Sequence, residues 1–168
     1  MWSSAFESAP GPILLAIEAV PRSQQLVLAA GRLAQRSHAE VLVLSVRERD
    51  YVRGYGWDVH QPGEIAETVS RAIYDLERVG VHARGIIRTA RSGHVAEEIV
   101  YVAQKHRADE IVIGTSRRSW LGGLLVGSVA PRVLRRSALP VVTIPARGLP
   151  SMPRSGDAHQ RSIAGPKR

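Results

Sequence analysis

The chain has 168 residues, no cysteine, and a formal charge of +8 from 23 Lys+Arg against 15 Asp+Glu. That length accommodates one domain of roughly 130–145 ordered residues with a sizeable core, and the absence of cysteine excludes a disulfide framework and thiol chemistry. A basic balance is compatible with nucleic acid, acidic lipid or phosphate ligands, but a single Phe and no interleaving of aromatic with basic residues argue against specific nucleic-acid recognition.

In chain order, residues 1–11 carry no apolar pattern and no signal-like core, so a flexible N-terminus and a cytoplasmic protein are expected. Ile13–Ile17 is a continuous apolar run, as in a parallel strand covered on both faces. Leu26, Ala30, Leu33 and Ala34 form an apolar stripe at helical spacing, and Val41–Val46 reads as a second interior strand. Arg47 to Gly63 is polar and holds Gly54, Gly56 and Pro62, which predicts a loop. Ile65, Val69, Ala72, Ile73 and Leu76 mark an amphipathic helix. A third strand is expected over about Val81–Arg88, although Gly85 and the charges at Arg84 and Arg88 weaken its pattern. Ser92-Gly93 precedes a helix carrying Val95, Ile99, Val102 and Ala103.

Glu110–Gly114 (EIVIG) is the fourth strand, and it runs into GTSRRSWLGGLLVGS, Gly114 to Ser128. Ser128 is a suitable N-cap for the helix SVAPRVLRR, with Pro131 in the first turn, where its missing N–H costs no intrahelical bond. A strand, a glycine loop and a capped helix make an anion site, because the first helical N–H groups are unpaired and the dipole favours negative charge. The glycines could equally serve a tight turn and close packing. Val141–Ile144, after Pro140, is the fifth strand, and the Pro-, Gly-, Ser- and Arg-rich residues 147–168 predict a disordered basic tail. The ordered domain is therefore expected over residues 12–146. Alternating strands and helices at this spacing imply an α/β fold with one parallel sheet covered on both faces.

Other phosphate and catalytic motifs fit less well. The outline of a Walker A loop at Gly122 to Ser128 lacks its lysine, and Val59 replaces the third glycine of a dinucleotide fingerprint starting at Gly54. Arg118 occupies the second glycine of a hydrolase elbow around Ser116. The six histidines, His38, His60, His82, His94, His106 and His159, have no partner at the spacing of a helical zinc site. Glu97-Glu98 falls on the polar side of its helix and reads as solvated. No acid/base pair stands out, so no catalytic residue is assigned.

Gly114, two residues, position 117, nine residues, then Gly127-Ser128 resembles the nucleotide loop of the universal stress proteins, Gly-x-x-Gly-x9-Gly-Ser/Thr. The following VLRRSALPVVTI is also similar to that family, and the resemblance spans roughly Pro12 to Ala146. It implies an open, Rossmann-like five-stranded parallel sheet of order 3-2-1-4-5, with ATP, with or without magnesium, bound where strands one and four diverge. The residues it implicates are Ala16, Glu18, Val46, Gly114, Thr115, Ser116, Arg117, Arg118, Gly127, Ser128, Val129 and Ala130. Ala16 and Val46 match positions whose backbones line the adenine slot, though core packing explains them as well. Glu18 stands where the family has an aspartate near base and ribose, and a solvated strand-end charge is its plain alternative. Arg117 replaces the family's second glycine and either blocks phosphate or binds it through its planar fork. The resemblance implies a nucleotide-dependent stress-response regulator that dimerises through the Val141–Ile144 edge, a binding module rather than a dedicated enzyme. The alternatives are a nucleotide-free dimeric interaction module of the same fold and a slow ATPase.

Overall fold

A computed structural model provides the structure, which describes residues 9–18, 23–52, 55–58, 62–115 and 129–145. The elements run β1 (Ile13–Ile17), α1 (Ser23–Ser37), β2 (Val41–Val52), β3 (Tyr55–Asp58), α2 (Pro62–Glu77), β4 (Ala83–Arg91), α3 (Val95–Lys105), β5 (Glu110–Thr115), α4 (Val129–Arg136) and β6 (Val141–Pro145). The parallel strands lie in the order β4-β2-β1-β5-β6. With β4, β5 and β6 as the third, fourth and fifth expected strands, this is the order 3-2-1-4-5. The expected tail, residues 147–168, and the first eight residues lie outside the described residues.

All five residues of β1 are buried, which is why its sequence is unbroken in apolar character: it is central, with helices on both faces. Alternation along each strand sorts the core into two layers. Ile13, Leu15, Val41, Val43 and Val112 meet Leu26, Val27 and Ala30 of α1 and Val69, Ala72 and Leu76 of α2. Leu14, Ala16, Leu42, Leu44, Ile111 and Ile113 meet Ala96, Ile99, Val102 and Ala103 of α3 and Ala130 and Val133 of α4.

The segment expected as a loop after Val46 is different. β2 continues through Arg47 to Val52 and turns into antiparallel β3, after which α2 starts at Pro62, a position where proline's missing N–H is harmless. Charged residues conceal this extension from a hydrophobicity reading. Past Ser45, β2 has outrun β1, so its ladder is held by β4, which pairs with it as far as Arg49↔Arg91. β4 itself extends to Arg91, and the glycine that weakens its pattern has a packing role. A Cβ at Gly85 would lie 2.5 Å from Val69 Cγ1 and 3.1 Å from Ile73 Cδ1, so glycine lets α2 approach the strand. Among the described residues, no helix is long and apolar enough to cross a membrane.

Candidate nucleotide crevice

The order in which the chain adds strands to the sheet reverses between β1 and β5. These strands are parallel neighbours, Ile13↔Glu110 to Ala16↔Ile113, yet α1 carries the chain from β1 toward β2 while α4 carries it from β5 toward β6. α1 packs in one core layer and α4 in the other, so the helices that follow β1 and β5 lie on opposite faces of the sheet, the arrangement beyond whose strand ends ligands bind in open parallel sheets.

Several implicated residues lie toward this end of the sheet. Ala16, buried at 7% exposure, and Val46, half-buried, pack into the same layer as α3 and α4. Ala16 is in register with Leu44, so Val46 stands one alternation further along the same face. Glu18 is exposed immediately past β1. Gly114 and Thr115 end β5, half-buried, beside Ile144 and Pro145 of β6. A Cβ at Gly114 would make only ordinary contacts, 3.6 Å to Leu26 Cδ2 and 4.0 Å to the Ile144 carbonyl, so packing among the described residues does not demand glycine. Val129 and Ala130 form the start of α4, and Ala130 is 2% exposed. Ser116, Arg117, Arg118, Gly127 and Ser128 lie outside the described residues.

α4 has no acidic residue in its first turn, so no side chain there neutralises the positive end of the helix dipole. Hydrophobic patterning missed the β2–β3 hairpin at this end of the sheet. Arg49 pairs with Arg91 on one edge and with Asp58 on the other, which places β3 on the β1 side of β2. With β1 ending opposite Ser45, β3 begins about 13 Å further along that edge, in line with β1 and above its carboxyl end.

A polar network links the carboxyl-terminal part of β2, the β4–α3 turn and α4, and it also escaped the sequence reading. Glu48 Oε1 accepts from Ser92 Oγ and from the Gly93 N–H, each at 2.9 Å, while Arg132 Nη1 donates to the Gly93 carbonyl at 2.6 Å. The acidic pair expected to be solvated is instead split between two partners: Glu97 bonds Arg136 of α4 at 2.8 Å and Glu98 bonds Arg88 of β4 at 2.6 Å. The Glu98 hydrogen bond holds the Arg88 guanidinium pKa above its ordinary value. At the far, amino end of β5, burial first and the nearby Asp109 second push the Glu110 carboxyl up. Among the described residues, no three His, Cys, Asp or Glu side chains are grouped to hold a metal ion.

The universal stress protein family model matches residues 11–145. A universal stress protein of Methanocaldococcus jannaschii is 44% identical over 52 residues, 31% of this chain and 31% of that protein. The matched stretches span about a third of the curated relatives' own length. Among solved structures, a universal stress protein in complex with cAMP has a TM-score of 0.62 at 23% identity, covering 83% of this chain and 100% of the other. A universal stress protein from Archaeoglobus fulgidus in complex with dAMP has a TM-score of 0.58 at 21% identity, covering 82% and 99%.

Proposed function

The chain belongs to the universal stress protein family, and from that premise we propose that it binds an adenine nucleotide, ATP, in the crevice beyond β1 and β5. The observation that carries this reading is the switch point itself: β1 and β5 are adjacent, their connections leave on opposite faces, and the acid-free start of α4 lies at the end of the connection from β5. The complexes with cAMP and dAMP in proteins of the same fold support the ligand class. Ala16 and Val46 line the base, Glu18 takes ribose hydroxyls, and the 114–118 and 127–130 segments hold the phosphates, with magnesium as counterion to a triphosphate. The bound nucleotide sets a signalling state, which makes the protein a nucleotide-dependent stress-response regulator rather than a dedicated enzyme.

The proposed assembly is a homodimer through β6. Both outer parallel strands, β4 and β6, have an open edge among the described residues. β4 carries Arg84, Arg88 and Arg91, charges of the kind that discourage edge pairing, whereas β6 reads VVTIP and carries none. Mass spectrometry of ligand released from freshly purified protein tests the nucleotide reading, with an adenine nucleotide expected. No released nucleotide, together with no ATP-dependent rise in unfolding temperature, would leave the nucleotide-free interaction module.

A further inference from the structure

The crossing between α4 and the β4–α3 turn contains a bridge to which the nucleotide reading gives no role. The Gly93 backbone is gripped by opposite charges: its N–H donates to Glu48 Oε1 at 2.9 Å, and its carbonyl accepts from Arg132 Nη1 at 2.6 Å. Hydrogen bonds with an ionised partner are roughly twice as strong as neutral ones. Gly93 has φ +79°, a conformation L side chains rarely adopt, so glycine is what orients both peptide groups. Ser92 Oγ adds a third contact, 2.9 Å to the same Glu48 oxygen.

The ends of this bridge matter. Glu48 is two residues beyond Val46, on the same face of β2. Arg132 is three residues after Val129, close to the start of α4. One chain of contacts therefore joins the base wall to the helix assigned to the phosphates. Arg132 also puts a cation near the positive end of a helix with no acid in its first turn, a placement the helix field opposes and a bound anion would favour. One turn later, Arg136 contacts Glu97 at 2.8 Å, on the same side of α4 but further from the helix start.

We infer that Arg132 is a positioning residue for the phosphate chain: through Gly93 and Glu48 it fixes α4 at a set distance from the β2 wall, so that a nucleotide's base and phosphates engage together. This rests on the nucleotide reading. Adenosine, lacking phosphate, gains little from that spacing; ATP gains most.

The test is calorimetric titration of the full chain with adenosine, AMP and ATP. In Arg132→Gln the ATP dissociation constant rises about 5- to 10-fold while that of adenosine stays within about twofold, and Arg132→Lys recovers part of the loss. Glu48→Gln, which does not touch α4, reproduces the same split at smaller size. Arg136→Gln leaves the ATP-to-adenosine ratio unchanged and controls for loss of an α3–α4 contact. An unchanged ratio in Arg132→Gln overturns the inference, as does a split in Arg132→Gln that is absent in Glu48→Gln, which would make Arg132 a direct phosphate ligand. Failure of the unmodified chain to bind any of the three overturns the nucleotide reading and this one with it, whereas binding with no split overturns this one alone.

Discussion

Replacing Gly85 with alanine places a methyl carbon 2.5 Å from Val69 Cγ1 and 3.1 Å from Ile73 Cδ1. Ordinary carbon contacts lie near 3.5–4.0 Å, so Val69 must yield by about 1 Å. Ile73 can swing the end of its side chain away. Val69 cannot: it is β-branched, stiff at χ1 on a helix, and 5% exposed. Overpacking of this kind costs about 1–3 kcal/mol, while exchanging glycine for alanine in a strand returns roughly 0.5–1 kcal/mol of backbone entropy. The expected net loss is about 1–2 kcal/mol, read as a lower urea midpoint with unchanged slope. Combining Gly85→Ala with Val69→Ala makes room for the methyl, so the double variant should be more stable than the two single losses added, by about 1 kcal/mol. A Gly85→Ala protein as stable as the parent, or additive losses in the cycle, would refute the packing of α2 on β4.

Other outcomes follow from the same geometry. Ile111 N donates to the Pro140 carbonyl, so in the parallel register Val142 N points inward to β5 and Thr143 N points out; Thr143→Pro should shift a β6-edge dimer toward monomer in sedimentation, and an unshifted dimer would refute edge pairing. Glu110 has its folded pKa raised, chiefly by burial, so the stability it lends is fully present below the ordinary carboxylate pKa and is lost as the pH rises through the folded pKa. Glu110→Gln should therefore raise the denaturation midpoint at pH 7 and have no such benefit below the ordinary carboxylate range; equal benefit at both pH values would refute this. Arg117→Gly separates two roles by ATP titration: affinity rises if arginine blocks the phosphates, and falls with a weaker salt dependence if it binds them.

The legible parts of the sequence were those where burial is total. β1, the first part of β2, and β5 are apolar because both faces are covered, and the stripes of α1, α2 and α3 mark single buried faces. The strand order came from the family's pattern, since spacing does not say which edge a strand joins. The continuation of β2 past Val46 was hidden because a strand extending beyond its central neighbour can carry Arg, Glu, Arg and Asp in succession. Gly85 looked like a break and is a point of close approach. Of the residues the family pattern implicates, Ala16, Glu18, Gly114 and Thr115 lie at or just past the carboxyl ends of β1 and β5, while Val46 lies within β2, beyond the end of β1. The Glu48–Gly93–Arg132 bridge was not legible: it links three residues separated by 45 and 39 positions, with no shared motif.

In the function proposed above, a nucleotide is held beyond β1 and β5 by its phosphates as well as its base. Calorimetric titration of the nucleotide-stripped full chain with ATP and with adenosine tests it most directly. Saturable binding of both is expected, with ATP at least about tenfold tighter, since charge-assisted contacts to phosphate contribute about 1.5–3 kcal/mol each. Equal affinities would contradict the phosphate cradle, and no heat from either ligand at millimolar concentration would contradict nucleotide binding altogether.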